Sequence, residues 1–268
     1  AAAILYTSGT TGLSKGAILT HANLASNGLT LHRIWGFKPG DVLLHALPVF
    51  HVHGLFVAIH CAMLNGSKML FLQKFEVNTV VKHVRKATVM MGVPTFYARL
   101  LEHPSFDESL CANIRLFISG SAPLLPQTWE NFKRKTKHEI LERYGMSEAG
   151  MIASNPLEGD RVPGTVGFAL PGTAVRISNH DGTRADLGEI GVLETKGPNV
   201  FSGYWNRPDL ITTEFRPDGF FITGDMAKMS ANGRITIVGR SRDLIISGGL
   251  NIYPKEIEDC LNQLPGIS

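Results

Sequence analysis

Short apolar runs alternating with amphipathic stretches fill residues 1–159, and few folds accommodate that rhythm. Residues 3–6 and the segments VLLHALP, KMLFL, TVMMGVP, IRLFISG and HEILERYG are too short for stable helices and rich in apolar side chains. They read as strands. Between them, residues 21–32, 52–64, 77–87, 94–103 and 126–137 carry helical patterning, with Thr20 placed to cap the first. Strands alternating with helices predict a layered α/β core built on a largely parallel sheet.

The style changes near PLEGDRVPG, residues 156–164. Beyond it come glycines, prolines and short strand candidates: TAVRIS, GVLETKG, GFFITGD and RITIVG. The signals HDG and ANG suit hairpins. Residues 160–240 therefore read as a β-rich subdomain. The last stretch, 241–268, holds LIISGGLNIYPKEIEDCL, a strand, a turn and a helix that starts at Pro254 with Glu256 and Glu258 near its positive end. The chain opens at Ala1 inside an apolar run and stops at LPGIS just past that helix, so a piece of a longer protein is expected.

Composition narrows the function. Hydrophobic residues make up 44% of the chain, enough for a substantial core. A net charge of +3, without a dense basic cluster, gives no footprint for nucleic acid. Three cysteines far apart, with no CxxC pair, indicate neither a disulfide framework nor a zinc site, and a reducing compartment is the simpler inference. The longest apolar stretch, VFHVHGLFVAIHCAML, is broken by histidines and reads as a buried helix rather than a membrane span. A cytoplasmic location is expected, or a mitochondrial one if a targeting peptide precedes Ala1. No repeat, low-complexity segment or secretory signal is visible.

The loop in ILYTSGTTGLSKG asks for a ligand. Its glycines let main-chain amides approach an anion closely, its hydroxyls add donors, and Lys15 adds a positive charge. Phosphate is the natural guest. The pattern is neither G-x-x-x-x-G-K-[ST], because Gly16 follows Lys15, nor a dinucleotide G-x-G-x-x-G.

YTSGTTGLSKGA resembles the phosphate loop of the adenylate-forming superfamily, which includes acyl-CoA synthetases, peptide-synthetase adenylation domains and luciferases. Four further segments follow in the family's order. ISGSAPL (118–124) resembles its adenine-side loop, ERYGMSE (142–148) its Y-G-x-T-E motif, GFFITGD (219–225) its ribose-binding T-G-D, and GRSRDLIISGGLNIYPKEIE (239–258) its hinge and small C-terminal domain. The resemblance implies ATP, Mg²⁺ and coenzyme A, with a small carboxylic acid as the other substrate. Thr7, Ser8, Gly9, Thr10, Thr11, Gly12 and Lys15 would hold the β- and γ-phosphates. Gly120, Ser121, Ala122 and Pro123 would line adenine, and Tyr144 would stack on it beside Gly145 and Met146. Ser147, where the family usually has threonine, would reach the α-phosphate, and Glu148 would bind Mg²⁺. Asp225 would accept the ribose hydroxyls, Arg240 would contact ribose or phosphate, and Arg242 takes the hinge position. Lys15, Ser147, Glu148 and His51 are the residues implied for catalysis. His51 matches a position beside the acyl carboxylate and the CoA tunnel, whereas His53 reads as a buried structural histidine.

Arg143 is the informative departure. Many relatives place a small residue just before Y-G. Since an unpaired buried guanidinium is costly, Arg143 either turns away to solvent or finds an anion, and a second carboxylate on the substrate would match its planar fork. HVHGLF, MGVPTFYARLLE, RLFISGSAPL and LERYGMSE together are similar to malonyl-CoA synthetases. That resemblance implies malonate or methylmalonate held by Arg143 and His51, with Met151 closing a small pocket. The family joins acid to CoA through an acyl-adenylate, with release of pyrophosphate and AMP. It also uses a lysine of the C-terminal domain; Lys255 lies too close to the hinge to be that lysine, so this 268-residue piece is expected to have little ligase activity by itself. Two alternatives stay open: a fatty- or aryl-acid CoA ligase, and a non-catalytic nucleotide-binding module.

Overall fold

The computed structural model describes residues 1–7, 14–179, 181–243, 245–247, 250–252, 254–262 and 264. Two strands open the chain, β1 (Ala3–Thr7) and β2 (Lys15–Leu19), followed by helix α1 (His21–Ile34) and strand β3 (Val42–His45). A π-wound segment, His53–Ile59, runs into α2 (His60–Leu64) and then β4 (Lys68–Phe71). Next come α3 (Val77–Val84), β5 (Val89–Gly92), α4 (Pro94–Glu102), α5 (Glu108–Cys111), β6 (Leu116–Ser119) and α6 (Pro126–Thr136). Strands β7 (Leu141–Met146), β8 (Gly150–Ser154), β9 (Phe168–Ala169), β10 (Ala174–Ser178) and β11 (Gly191–Lys196) follow. The short helix α7 (Ile211–Glu214) precedes β12 (Phe221–Met229) and β13 (Ile235–Arg240). A hairpin of β14 (Ile245–Ser247) and β15 (Leu250–Ile252) leads to α8 (Pro254–Leu261).

Local chemistry sets the helix ends. Thr20 caps α1 through a reciprocal box with Asn23: its hydroxyl accepts from the Asn23 amide, and the Asn23 side chain accepts from the Thr20 amide. Pro94 and Pro126 open α4 and α6, where a missing amide hydrogen costs nothing.

The main sheet has seven strands in the order β4-β3-β5-β6-β7-β8-β9. The first five run parallel; β8 and β9 are antiparallel additions. Side chains of its central strands alternate between two cores. Val89, Met91, Leu116 and Ile118 face the layer containing Leu31, Trp35 and Val57. Met90 and Phe117 face Val80, Tyr97, Leu100 and Phe132 on the opposite side. Burial on both faces explains the nearly continuous apolar runs of these strands. Burying a side chain such as Phe117 contributes about 1.5–3 kcal/mol.

A second sheet, β10-β11-β12-β13, is antiparallel throughout and carries the hairpin expected at ANG. At the HDG signal, the Asn179 amide donates to the Thr183 carbonyl across the turn, while His180 lies outside the described residues.

Several local expectations change. β1 does not enter the main sheet: it forms a hairpin with β2, pairing Thr7 with Lys15, and Ala17 of β2 bridges to Tyr204. β2 sits inside the stretch expected to lead straight into α1, because KGAIL is too short to declare itself. The apolar helix expected over 52–64 is π-wound in its first half. HEILERYG is followed by an antiparallel return strand, β8, absent from the sequence reading.

Candidate active site

In open α/β sheets, ligands bind beyond the carboxyl ends of the strands. Here the segments after β3, β6 and β7 bring His51, Ser121, Ser147 and Glu148 to one cleft, which Thr7 and Lys15 border from the β1–β2 hairpin. Thr223 and Gly224 of β12, with Arg240 and Arg242, form the facing wall. The cleft measures about 620 Å³, a normal size for a small-molecule site.

Arg143 governs one end. It sits on β7 opposite Ser154 of β8 and is only 3% exposed. Its Nε and Nη2 have no hydrogen-bond partner among the described residues. Burial pushes its guanidinium down to about 9. Its side chain lies across Gly120, where no Cβ intervenes. His51 lines the cleft nearby, and burial together with the Arg143 charge lowers its imidazole. His53 is buried behind it, with Nδ1 3.2 Å from the Ser121 hydroxyl and Nε2 without a partner among the described residues. Burial first, then Arg143, holds His53 well below the ordinary histidine value.

The pocket floor is tight. A bulge between β7 and β8 shifts the register at Tyr144/Gly145 and sets Gly145 opposite Met151. A Cβ on Gly145 would stand 2.2 Å from the Gly150 carbonyl oxygen and 2.5 Å from the Met151 Cε. The Met151 backbone is fixed by Asn27, whose side chain accepts from its amide at 3.0 Å and donates to its carbonyl at 2.8 Å.

At the other end, Glu148 is 6% exposed. Its Oε1 accepts from the Thr7 hydroxyl at 3.1 Å and from the Tyr204 hydroxyl at 3.0 Å. Lys15 is 8% exposed; its ammonium pairs with Glu214 and lies 4.9 Å from the centre of the Tyr204 ring. Burial and the charges of Glu148 and Glu214 push the Tyr204 phenol strongly up, so it stays protonated and donates.

Behind the facing wall, Asp225 is occupied on both oxygens. Arg240 Nε donates to Oδ1 at 2.8 Å, and the Tyr144 hydroxyl donates to Oδ2. Burial raises the Asp225 carboxyl above its ordinary value, with the Arg240 charge offsetting only part of the rise.

Of the residues expected at a site, Thr7, Lys15, His51, Ser121, Arg143, Gly145, Met146, Ser147, Glu148, Met151, Arg240 and Arg242 line this one cleft. Gly120 is buried beneath Arg143, Tyr144 and Asp225 sit behind the wall, and Ala122 and Pro123 are exposed beside it. Ser8, Gly9, Thr10, Thr11 and Gly12 lie outside the described residues. Tyr204 and Glu214 were not foreseen; they come from a loop and the short helix α7, neither with a local signature, while Thr223 lies inside the T-G-D motif, of which only Asp225 was singled out. Among the described residues no group of three His, Cys, Asp or Glu side chains is arranged for a metal. Glu148, with the Thr7 hydroxyl, offers hard oxygens suited to a divalent cation that arrives on a phosphate. Among the described residues no helix is long and apolar enough to cross a membrane.

Comparison with known proteins identifies the family and the fold. The family model for AMP-binding enzymes matches residues 1–205, and the chain belongs to that family. The mitochondrial malonate–CoA ligase ACSF3 of Mus musculus is 39% identical over 303 residues, covering 100% of this chain and 52% of that protein. A long-chain-fatty-acid–CoA ligase of Bacillus subtilis is 37% identical over 266 residues, covering 97% of this chain and 47% of that one. The crystal structure of ATP-bound MatB from Rhodopseudomonas palustris superposes with a TM-score of 0.96 at 54% identity, over 98% of this chain and 52% of that one. The fold is therefore that of the adenylate-forming enzymes, and the chain spans about half the length of the relatives it matches.

Proposed function

We propose that this chain is the nucleotide- and acid-binding core of an ATP-dependent acid–CoA ligase that activates malonate or methylmalonate. One observation carries the choice of acid: Arg143 is a buried guanidinium lining the cleft, with Nε and Nη2 unpartnered among the described residues. A lone buried cation is costly by several kcal/mol. A carboxylate on the far end of the acid offsets that cost with two parallel hydrogen bonds. The acyl chain of a fatty acid has no such group, so the same arginine would oppose it.

The remaining residues divide the work. Met151, pinned by Asn27, limits the length of the acid. His51, kept neutral by burial and by Arg143, borders the acid without adding a second cation. ATP fits the opposite end, where Thr7, Lys15 and Ser147 supply donors and Glu148 supplies oxygen for Mg²⁺; that ion would neutralise developing phosphate charge. Tyr144, Asp225 and Arg240 form the side suited to the nucleoside. Formation of an acyl-adenylate is chiefly a matter of positioning and charge neutralisation. Coenzyme A then accepts the acyl group.

The test compares malonate with butyrate in acid-dependent pyrophosphate release by the encoded protein and its Arg143→Ala variant. Malonate is expected to be preferred, and the variant to lose about 2–3 kcal/mol of kcat/KM for malonate, roughly 30- to 150-fold, with little change for butyrate. Equal losses for both acids would reject the assignment.

A further inference from the structure

We propose that Glu214 is a positioning residue for polyphosphate: through its ion pair it fixes the Lys15 ammonium at the cleft wall beside Glu148. This rests on the ligase reading above and assigns a role to a residue that no sequence motif marks.

The geometry is specific. A lysine beside a cleft normally extends its flexible stem into water. Lys15 does not: it is 8% exposed, paired with Glu214 and set over the Tyr204 ring. The same tyrosine donates to Glu148, and Thr7, the strand partner of Lys15, donates to that Glu148 oxygen as well. Four separate elements thus meet at one corner: the β1–β2 hairpin, the turn after β7, the segment after β11 that carries Tyr204, and α7. Glu214 holds only 22% of its side-chain surface in solvent, so its pair with Lys15 is screened far less than an exposed one.

Charge identifies the ligand form. At this corner the Lys15 ammonium stands with the Glu148 and Glu214 carboxylates, and the adjacent Arg207 and Asp209 offset each other as an ion pair, so negative charge is in excess by one. A bare polyanion is opposed there. A polyphosphate that arrives with a divalent cation matches it, with the cation toward Glu148 and a phosphate oxygen toward Lys15. Without Glu214 the lysine stem regains its rotamers, and the donor is no longer preorganised.

The experiment is a double-mutant cycle on Lys15→Gln and Glu214→Gln. It is read by malonate-dependent ATP–pyrophosphate exchange and by calorimetric binding of magnesium pyrophosphate. Glu214→Gln is expected to lower the exchange rate roughly tenfold without raising the KM for malonate, and the double variant to be no slower than Lys15→Gln alone. Glu214→Asp is expected to recover part of the rate and, should Glu214→Gln fail to fold, takes its place in the cycle. Losses that multiply in the double variant, or a Glu214→Gln protein as fast as the wild type, would overturn the assignment. If the wild type exchanges pyrophosphate with no carboxylic acid, the ligase reading fails by itself. The same non-additivity in magnesium pyrophosphate affinity then decides the role of Glu214.

Discussion

The Arg143 guanidinium lies flat against Gly120, so close that a methyl group on the glycine would stand 2.5 Å from the arginine Cζ and 2.6 Å from its Nε. The turn that follows β6 at Gly120 therefore sets the height of the cation at the end of the cleft proposed for the acid.

Gly120→Ala is accordingly expected to displace the guanidinium. The KM for malonate should rise by about tenfold or more, because a misplaced fork loses one of two charge-assisted bonds. ATP affinity should change little. Steady-state kinetics with each substrate varied in turn measure both.

Stability should fall on the acid side. His53 is held neutral well below its ordinary value of 6.5, chiefly by burial. Below that value the unfolded chain takes up a proton that the folded chain refuses, so unfolding becomes easier as pH falls. The slope from this one group approaches about 1.4 kcal/mol per pH unit until the depressed folded value is reached. Urea melts between pH 7 and pH 5 should show the decline, and His53→Gln should flatten it.

Glu194 is fully buried between two arginines, accepting from Arg176 Nε at 2.8 Å and Arg216 Nε at 2.6 Å. Glu194→Ala leaves both cations without that carboxylate. A loss of about 3–5 kcal/mol is expected, read as a lowered denaturant midpoint with unchanged slope.

Asp225 already receives hydrogen bonds from Tyr144 and Arg240. On the proposed nucleoside role, Asp225→Ala should weaken ATP binding by roughly tenfold, the cost of a hydrogen bond to a charged group. Malonate selectivity over butyrate should persist. Calorimetry with ATP and competition kinetics with the two acids separate these effects.

The parts of the fold that could be read in advance are those with local period. Val89–Gly92 and Leu116–Ser119 are apolar on both faces because helices cover both, and that pattern needs no tertiary knowledge. Strand β2 escaped because its five residues adjoin a glycine loop that explained them otherwise. The site was legible where it forms contiguous motifs, as at Arg143–Glu148. It was illegible where contacts span the chain. Lys15 meets Glu214 across 199 positions, and Thr7 meets Glu148 across 141. Nothing in the segment around Tyr204 or Glu214 announces a partner so far away; only the folded hairpin brings them together.

The bulge opposite Gly145 has an evolutionary corollary. It places one surplus residue on β8, between Met151 and Ala153. Losing that residue would restore regular pairing and turn the side chains on one flank of the break to the other surface of the sheet. The chamber for the acid would then acquire a new floor while Arg143 and the nucleotide wall stayed in place. On the proposed function, the length of acid accepted is thus open to change by a single codon deletion as well as by substitution.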